Sequence, residues 1–199
     1  MVDNPFATRH TRPGAIPFRF AQDCSVAAIV DRLHANGGMG QIVGPHGSGK
    51  STLLAALESE LERAGTRVLH IELHDGQRRL PIRIGDVLRR SPFDIIVVDG
   101  YEQLSRFCRY RLHAFCQKHR LGLIVTSHTS VHLPDLFHTD VTLELAQRIV
   151  AGLLGKLWAG ECPPTITPEV IADRLTHHQG NLREVLMDLY SLYEENNHV

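Results

Sequence analysis

The sequence predicts a protein of the α/β class, with parallel strands joined by crossing helices. Three observations carry that prediction. Gly44 to Ser51 reads Gly-Pro-His-Gly-Ser-Gly-Lys-Ser, a complete G-x-x-x-x-G-K-[ST] phosphate-binding loop. It sits between a short apolar run and a helical run, and a second apolar run follows, so strand, loop, helix and strand form one βαβ unit. Farther on, Phe-Asp-Ile-Ile-Val-Val-Asp at Phe93 to Asp99 is an apolar stretch closed by a carboxylate, the pattern of a buried parallel strand.

Residues 1 to 20 hold Pro5, Pro13, Gly14 and Pro17, which suits an irregular arm laid over the core. Ser25 to Ala35 reads as a helix capped by Asp23 or Ser25, with Ala28, Ile29 and Leu33 as its apolar stripe and Asn36-Gly37-Gly38 as its stop. Met39 to Val43 is the first strand. Lys50 to Ala64 is a helix with Leu53, Leu54, Leu57 and Leu61 on one face, ended by Gly65, and Arg67 to Leu73 is the second strand. His74 to Arg90, rich in arginine, reads as a loop plus a short helix over Ile84 to Arg89.

After the strand ending at Asp99, Leu104 to His119 has helical spacing, with Leu104, Phe107, Cys108, Leu112 and Phe115 as its core stripe. Arg106, Arg109, Arg111, Lys118 and Arg120 give it a basic face, suited to solvent, a phosphate backbone or a neighbouring subunit. Leu121 to Thr126 is a further strand, followed by Ser127 and His128. The remainder is helical with one possible strand, Asp140 to Leu145 either alternating as a strand or beginning a helix. Gln147 to Trp158 reads as a helix, Cys162 to Pro168 as a break and Pro168 to Leu175 as a helix. The last helix runs from Leu182 to about Glu195 and buries Val185, Leu186, Leu189, Leu192 and Tyr193. Arg183 in its first turn opposes the helix dipole and so favours an anionic partner.

The chemistry concentrates in the loop. Gly44, Gly47 and Gly49 let the backbone, through Pro45, His46 and Ser48, turn its N–H groups inward as a nest for phosphate oxygens at a helix N-terminus. Lys50 would reach the β- and γ-phosphates, Ser51 would place its hydroxyl on Mg²⁺, and Thr52 or the backbone would touch the α-phosphate. Asp99 at its strand end would hold the metal's water shell, or else cap the helix that follows. Ser127 and His128 would lie beside the γ-phosphate if their strand runs between those of Val43 and Val98.

Composition sets bounds. At 199 residues and 43% apolar content the chain can bury one good core with a small appended subdomain. A net charge of −1 gives no bulk attraction to nucleic acid or an anionic membrane, so any such contact must be a local patch. No apolar run approaches the roughly 18 residues of a membrane span, and Met1 to Phe20 lacks a signal-peptide core, so a soluble, cytoplasmic protein is expected. Cys24, Cys108, Cys116 and Cys162 lack C-x-x-C spacing and read as free thiols. Nor do the histidines, among them His70, His74, His113, His119, His177 and His178, repeat a metal-ligand spacing.

Taken together, these segments resemble the AAA+ class of P-loop ATPases, nearest to the compact origin-recognition-like and transposition-helper ATPase domains. The resemblance covers roughly residues 25 to 199. Gly44 to Ser51 looks like Walker A, Ile95 to Asp99 like Walker B, Thr126 to His128 like sensor 1, and Gly180-Asn181-Leu182-Arg183 like sensor 2. It implies a P-loop NTPase fold of three αβα layers, with a five-stranded parallel sheet in the order 5-1-4-3-2 and a small C-terminal helical lid. The division would be an arm at 1–24, a core at 25–145 and a lid at 146–199. ATP would bind between sheet and lid, with Arg183 touching the γ-phosphate, and oligomerisation would use the nucleotide edge.

Two departures bear on activity. The family places a glutamate directly after the Walker B aspartate, whereas here Gly100 stands there and Glu102 comes three residues after Asp99. Glu102 then either serves as general base or leaves the protein a slow hydrolase acting as a switch. Arg106, Arg109 and Arg120 are candidates for an arginine finger by charge and position only. The leading expectation is a Mg²⁺-dependent ATP-binding protein and ATPase driving a conformational or assembly switch, with an unnamed protein client or oligomer partner. A small-molecule kinase is the alternative, with Arg78 to Arg90 as a source of lid arginines. A third reading is an ATP-binding scaffold that docks on DNA or protein. ATP over GTP follows from the resemblance, and no Asn-Lys-x-Asp guanine-reading motif is present.

Overall fold

The computed structural model describes residues 4–20, 24–157 and 165–197. It divides into two compact units. The sheet unit comprises Gln22–Gly44 and Leu53–His138; the helical unit comprises Met1–Ala21, Pro45–Thr52 and Thr139–Val199. The expected Asp23 cap, the end of a helix at Trp158, and most of the break from Cys162 lie outside the described residues.

The sheet unit carries β1 (Met39–Val43), β2 (Val68–Glu72), β3 (Ile95–Asp99), β4 (Gly122–Ser127) and β5 (Asp135–His138), all parallel, in the order β2-β3-β4-β1-β5. This is the order 5-1-4-3-2 that the resemblance implies, and β4 lies between β1 and β3 as the placement of Ser127 and His128 required. Continuous apolar strands follow from burial on both faces: Ile96, Val97, Val98, Leu123, Ile124 and Val125 are all inaccessible to solvent.

The fifth strand runs Asp135–His138, ahead of Asp140 to Leu145; of the two readings of that later segment the helical one holds, since it leads through a loop into a helix that starts at Leu143. Only four residues long and joined to β1 through a bulge between Gln41 and Ile42, β5 is held by side chains as well as by its ladder. Gln41 is buried within β1. Its Nε2 donates to Ser130 Oγ at 2.9 Å and to Asp135 Oδ1 at 2.6 Å, while its Oε1 accepts from the Val131 N–H at 2.8 Å. A Cβ at Gly40 would lie 2.3 Å from the Leu136 side chain, so this close approach requires glycine.

Among the helices of this unit, α2 (Val26–Ala35) starts at Ser25, whose hydroxyl accepts from the Ala28 N–H at 3.1 Å. It buries Ile29 and Leu33, while Ala28 faces solvent. The helix α3 (Lys50–Arg63) follows the phosphate loop and buries Leu53, Leu54, Leu57 and Leu61 as expected. The helix α4 (Ile84–Arg90) is a short connector before β3, and α5 (Arg106–His119) begins after its cap Ser105.

The stripe expected on α5 is corrected in part. Leu112 and Cys116 are its buried residues and Phe115 is partly buried, but Phe107 is 66% exposed. Leu104 is buried ahead of the cap, so counting a helical repeat from it rotates the stripe onto Phe107. Burial pushes the Cys116 thiol up to about 12. Cys24, Cys108 and Cys116 are free thiols.

In the helical unit, α1 (Thr8–Thr11) is a single turn, and α6 (Leu143–Leu157), α7 (Pro168–His177) and α8 (Leu182–Asn197) enclose a separate core. Thr167 caps α7 ahead of Pro168, the position where a missing N–H does no harm. The N-terminal arm packs here: Phe6 is buried edge-on against Tyr193, and Asn4 Nδ2 donates to the Tyr190 carbonyl and to Glu194 Oε1. Among the described residues no helix is long and apolar enough to cross a membrane.

Candidate functional site

The phosphate loop belongs to the helical unit and is drawn tightly onto itself. Gly47 and Gly49 have φ of 67° and 90°, the left-handed region that glycine adopts without cost. A Cβ on Gly47 would lie 1.8 Å from Asn181 Oδ1 and 3.1 Å from the Arg183 nitrogen, so the loop backbone meets the start of α8 where no side chain fits. Over Gly49 sits the Phe18 ring, 3.3 Å from the position of an added Cβ. Lys50 is largely buried, and its ammonium donates to the Pro45 carbonyl at 2.7 Å. Ser48 Oγ donates to the same carbonyl at 2.8 Å and lies 2.6 Å from Thr139 Oγ1. Pro45 and His46 are exposed, Ser51 and Thr52 half-buried. Arg183 is exposed in the first turn of α8, where Asn181 Oδ1 accepts from the Glu184 N–H.

In the sheet unit, Asp99 ends β3 half-buried. Thr126 Oγ1 donates to Asp99 Oδ1 and accepts from the Gly100 N–H at 2.9 Å. Within the stretch Thr126 to His128 that the resemblance likens to sensor 1, Thr126 is the residue in contact with Asp99. The parallel register pairs Val98 with Val125, which brings Thr126 level with Asp99. Ser127 is fully buried, and its hydroxyl donates to the Thr129 carbonyl.

The departure after Asp99 has a steric cause. Gly100 has φ of 79°, and an added Cβ would lie 2.7 Å from the Leu73 carbonyl oxygen, so no side chain is accommodated there. The chain then makes one 3-10 turn, Tyr101–Gln103, which returns Glu102 toward β4. Glu102 Oε1 pairs with His128 Nε2 at 2.9 Å, and Glu102 Oε2 is buried with no hydrogen-bond partner among the described residues. His128 Nδ1 lies 3.3 Å from the Gly44 carbonyl, which links Glu102 to the end of β1.

Arg109 closes the turn from the other side. Its Nη2 donates to the Glu102 carbonyl at 2.6 Å, its Nε to the Leu104 carbonyl at 2.9 Å, and its guanidinium lies over the Tyr101 ring. Burial pushes the Tyr101 hydroxyl up to about 12, against a smaller lowering by Arg109. Arg109 therefore holds its own chain, while Arg106 and Arg120 are exposed.

These residues fit a nucleoside triphosphate with its cation. The glycines admit a backbone cradle, α3 begins at Lys50 with N–H groups that its own ladder cannot satisfy, and a lysine side chain is already folded over the loop. Among the described residues no cluster of three or more His, Cys, Asp or Glu would cage a metal by itself. Mg²⁺ carried on phosphates needs only one or two protein ligands, for which Ser51 and Asp99 are of suitable chemistry.

No protein-family model matches the sequence, and no curated protein matches it. Solved structures do match the fold. A DNA replication initiation factor aligns with a TM-score of 0.56 at 18% identity, over 84% of this chain and 59% of that one. The replication initiator DnaA bound to AMPPCP and single-stranded DNA gives the same values. AMPPCP-bound DnaA from Aquifex aeolicus gives 0.54 at 17% identity, over 83% and 58%. The chain shares the parallel α/β fold of these replication initiators.

At this identity the likeness concerns the fold alone, and the chain spans less than two thirds of each of these structures. Within that fold the loop at Gly44 to Ser51 follows β1, and Asp99 ends β3, next to the central β4. After Asp99 stands Gly100, whose left-handed backbone and close approach to the Leu73 carbonyl demand a glycine.

Proposed function

We propose that this chain is a Mg²⁺-dependent ATP-binding protein whose nucleotide cycle drives a conformational or assembly switch. The observation that carries the reading is the loop at Gly44 to Ser51, with two left-handed glycines and a lysine folded over it. In this reading the loop N–H groups and Lys50 bind the phosphates, with Lys50 exchanging the Pro45 carbonyl for phosphate oxygens. Ser51 and Asp99 hold Mg²⁺, which when bound would neutralise developing charge on the phosphates. Ser127 and His128 are assigned to the γ-phosphate side, and Arg183 to the lid. Glu102 orients water and accepts its proton, its buried free oxygen being the acceptor.

The pairing of Glu102 with His128 favours slow basal turnover, because the carboxylate is engaged before any substrate water arrives. That supports a switch awaiting a protein client or a further copy of the chain. The kinase alternative has less support: the arginine-bearing segment is the β2–β3 connection, and its Arg89 pairs with Asp86.

The test is steady-state phosphate release from ATP with Mg²⁺, alongside nucleotide binding, on wild type, Lys50→Ala and Glu102→Gln. Lys50→Ala should lose binding, and Glu102→Gln should bind ATP but not turn it over. Wild-type protein that binds no ATP would overturn the reading. Turnover surviving in Glu102→Gln would remove Glu102 from it.

A further inference from the structure

The outer face of α5 is patterned like one half of a helix pair. Phe107 is 66% exposed and Tyr110 72%, and Ala114 and Gln117 continue the same line as exposed residues. The steps along 107, 110, 114 and 117 are three, four and three residues, the a and d positions of a heptad, over about 15 Å of helix. Single apolar residues on a surface need no explanation, but a stripe at this period does. Packing within the chain does not supply one. Leu112 and Cys116, on the opposite side of the helix, join the core with Ile96 and Leu123, and Arg109 is spent on the Glu102 and Leu104 carbonyls.

The margins of the stripe are basic. Arg111 and Lys118 fall at e positions and Arg106 at g, all three exposed, and the Arg111 guanidinium lies 5.6 Å from the Phe107 ring centroid. Residues 105–120 contain Arg106, Arg109, Arg111, Lys118 and Arg120 and no Asp or Glu, although the whole chain has a net charge of −1. Charges at e and g choose the partner of a helix pair, so basic margins select acidic ones. They also oppose the pairing of α5 with its own copy, in which like charges would meet. Ala114 adds a shape requirement. Its small side chain leaves a recess between Tyr110 and Lys118 that a branched apolar side chain of a facing helix fills, whereas a nucleic acid strand has no such knob to place there.

We propose that the outer face of α5, with Phe107, Tyr110 and Ala114 as its seam and Arg106, Arg111 and Lys118 at its margins, docks an acidic amphipathic helix of a partner protein. The partner's apolar a and d side chains cover the rings, and its Glu or Asp at e and g meet the basic margins. The face is independent of the nucleotide reading, in which none of these side chains binds phosphate or metal.

The experiment is fluorescence anisotropy of the full chain with a labelled three-heptad peptide carrying Leu at a and d and Glu at e and g. Repulsion among the glutamates keeps this peptide from pairing with itself. The controls carry Lys in place of Glu, or the same composition with the apolar period broken. Wild type should bind the Glu peptide at least about tenfold more tightly than either control, with a gain of helix by circular dichroism on mixing. Phe107→Ala and Tyr110→Ala should each weaken binding about 5- to 30-fold. Ala114→Arg, which fills the recess, should weaken it at least about fivefold. Arg111→Glu combined with Lys118→Glu should exchange the preference, so that the Lys peptide binds about tenfold better than the Glu peptide. Loss of fold cannot imitate that exchange.

Equal binding of the broken-period peptide, no binding of the Glu peptide at low salt, unchanged affinity without both rings, or a preference that survives the charge exchange would each overturn the proposal. Two other results would give the face to a different occupant and overturn it as well. One is displacement of the peptide by oligo-dT at lower concentration than by unlabelled peptide. The other is self-association of the wild type in sedimentation that Phe107→Ala abolishes. All the substituted side chains are exposed, so the variants should keep the wild-type melting temperature and, where the wild type binds ATP, its ATP affinity. A chain that binds the Glu peptide but not ATP would refute the nucleotide reading and leave this one standing.

Discussion

Replacing Gly100 by alanine tests why no acid follows Asp99 in this chain. The left-handed backbone at φ of 79° costs an L-residue about 1–2 kcal/mol. The new Cβ would meet the Leu73 carbonyl oxygen at 2.7 Å, and Leu73 is itself tied down, its N–H donating to the Asp99 carbonyl at 2.9 Å. Relieving the contact stretches that bond, at a net cost of about 1 kcal/mol. The total is about 2–3 kcal/mol, or roughly 4–12 °C in Tm for a chain of this size. Gly100→Glu carries the same backbone penalty, so restoring the acid destabilises the turn without supplying a catalytic group. Urea denaturation followed by far-UV circular dichroism reads the change directly. Gly100→Ala with a stability within about 0.5 kcal/mol of wild type, the scatter of neutral surface changes, would refute the steric argument.

Three further outcomes follow from the contacts. Thr126→Val keeps the volume but removes the donor to Asp99 and the acceptor for the Gly100 N–H; it should cost about 1–3 kcal/mol in denaturation and weaken Mg²⁺-dependent nucleotide binding. Phe6→Ala, at a position only 3% exposed, should cost about 3–5 kcal/mol, seen as an earlier thermal transition. The third concerns pH. Glu58 raises His70 above its ordinary 6.5 by hydrogen bonding, so that pair stabilises fully below about pH 6.5 and fades as pH rises through the raised value. Arg67 holds Asp94 at about 2, so its contribution is complete above about pH 4 and disappears as pH falls toward 2. Both pairs are solvent-exposed, so the effects are small; urea midpoints against pH should flatten at the acid end in Asp94→Asn and at the neutral end in His70→Asn.

How far the molecule is legible in its sequence varies with the length over which a signal repeats. The loop at Gly44 to Ser51 and the apolar strand before Asp99 are local patterns, and both stand where the pattern puts them. The strand at Asp135–His138 was not readable. Four residues with Leu136 alone fully buried make no periodic signal, and the strand is recruited by Gln41, a buried polar residue some ninety positions earlier. Phe107 misled because its spacing from Leu104 is helical while Leu104 lies outside the helix. Thr126 stood within a stretch the resemblance picked out, but its contact with Asp99 depends on the register between β3 and β4, which no single strand contains. Gly100 was legible as a departure from a family pattern, but its reason is the Leu73 carbonyl, a contact across the sheet edge.

The grip of Arg109 has a mechanical consequence. One guanidinium holds the carbonyls of Glu102 and Leu104 and rests on the Tyr101 ring, so the first turns of α5 and the bend after Asp99 form a single rigid piece. A rotation of α5 about its own axis cannot be absorbed locally; it is passed to the Glu102 backbone and strains the carboxylate's hold on His128. The helix is thus a torsion arm with the carboxylate at its far end, and whatever pulls on its outer face changes how firmly Glu102 is held.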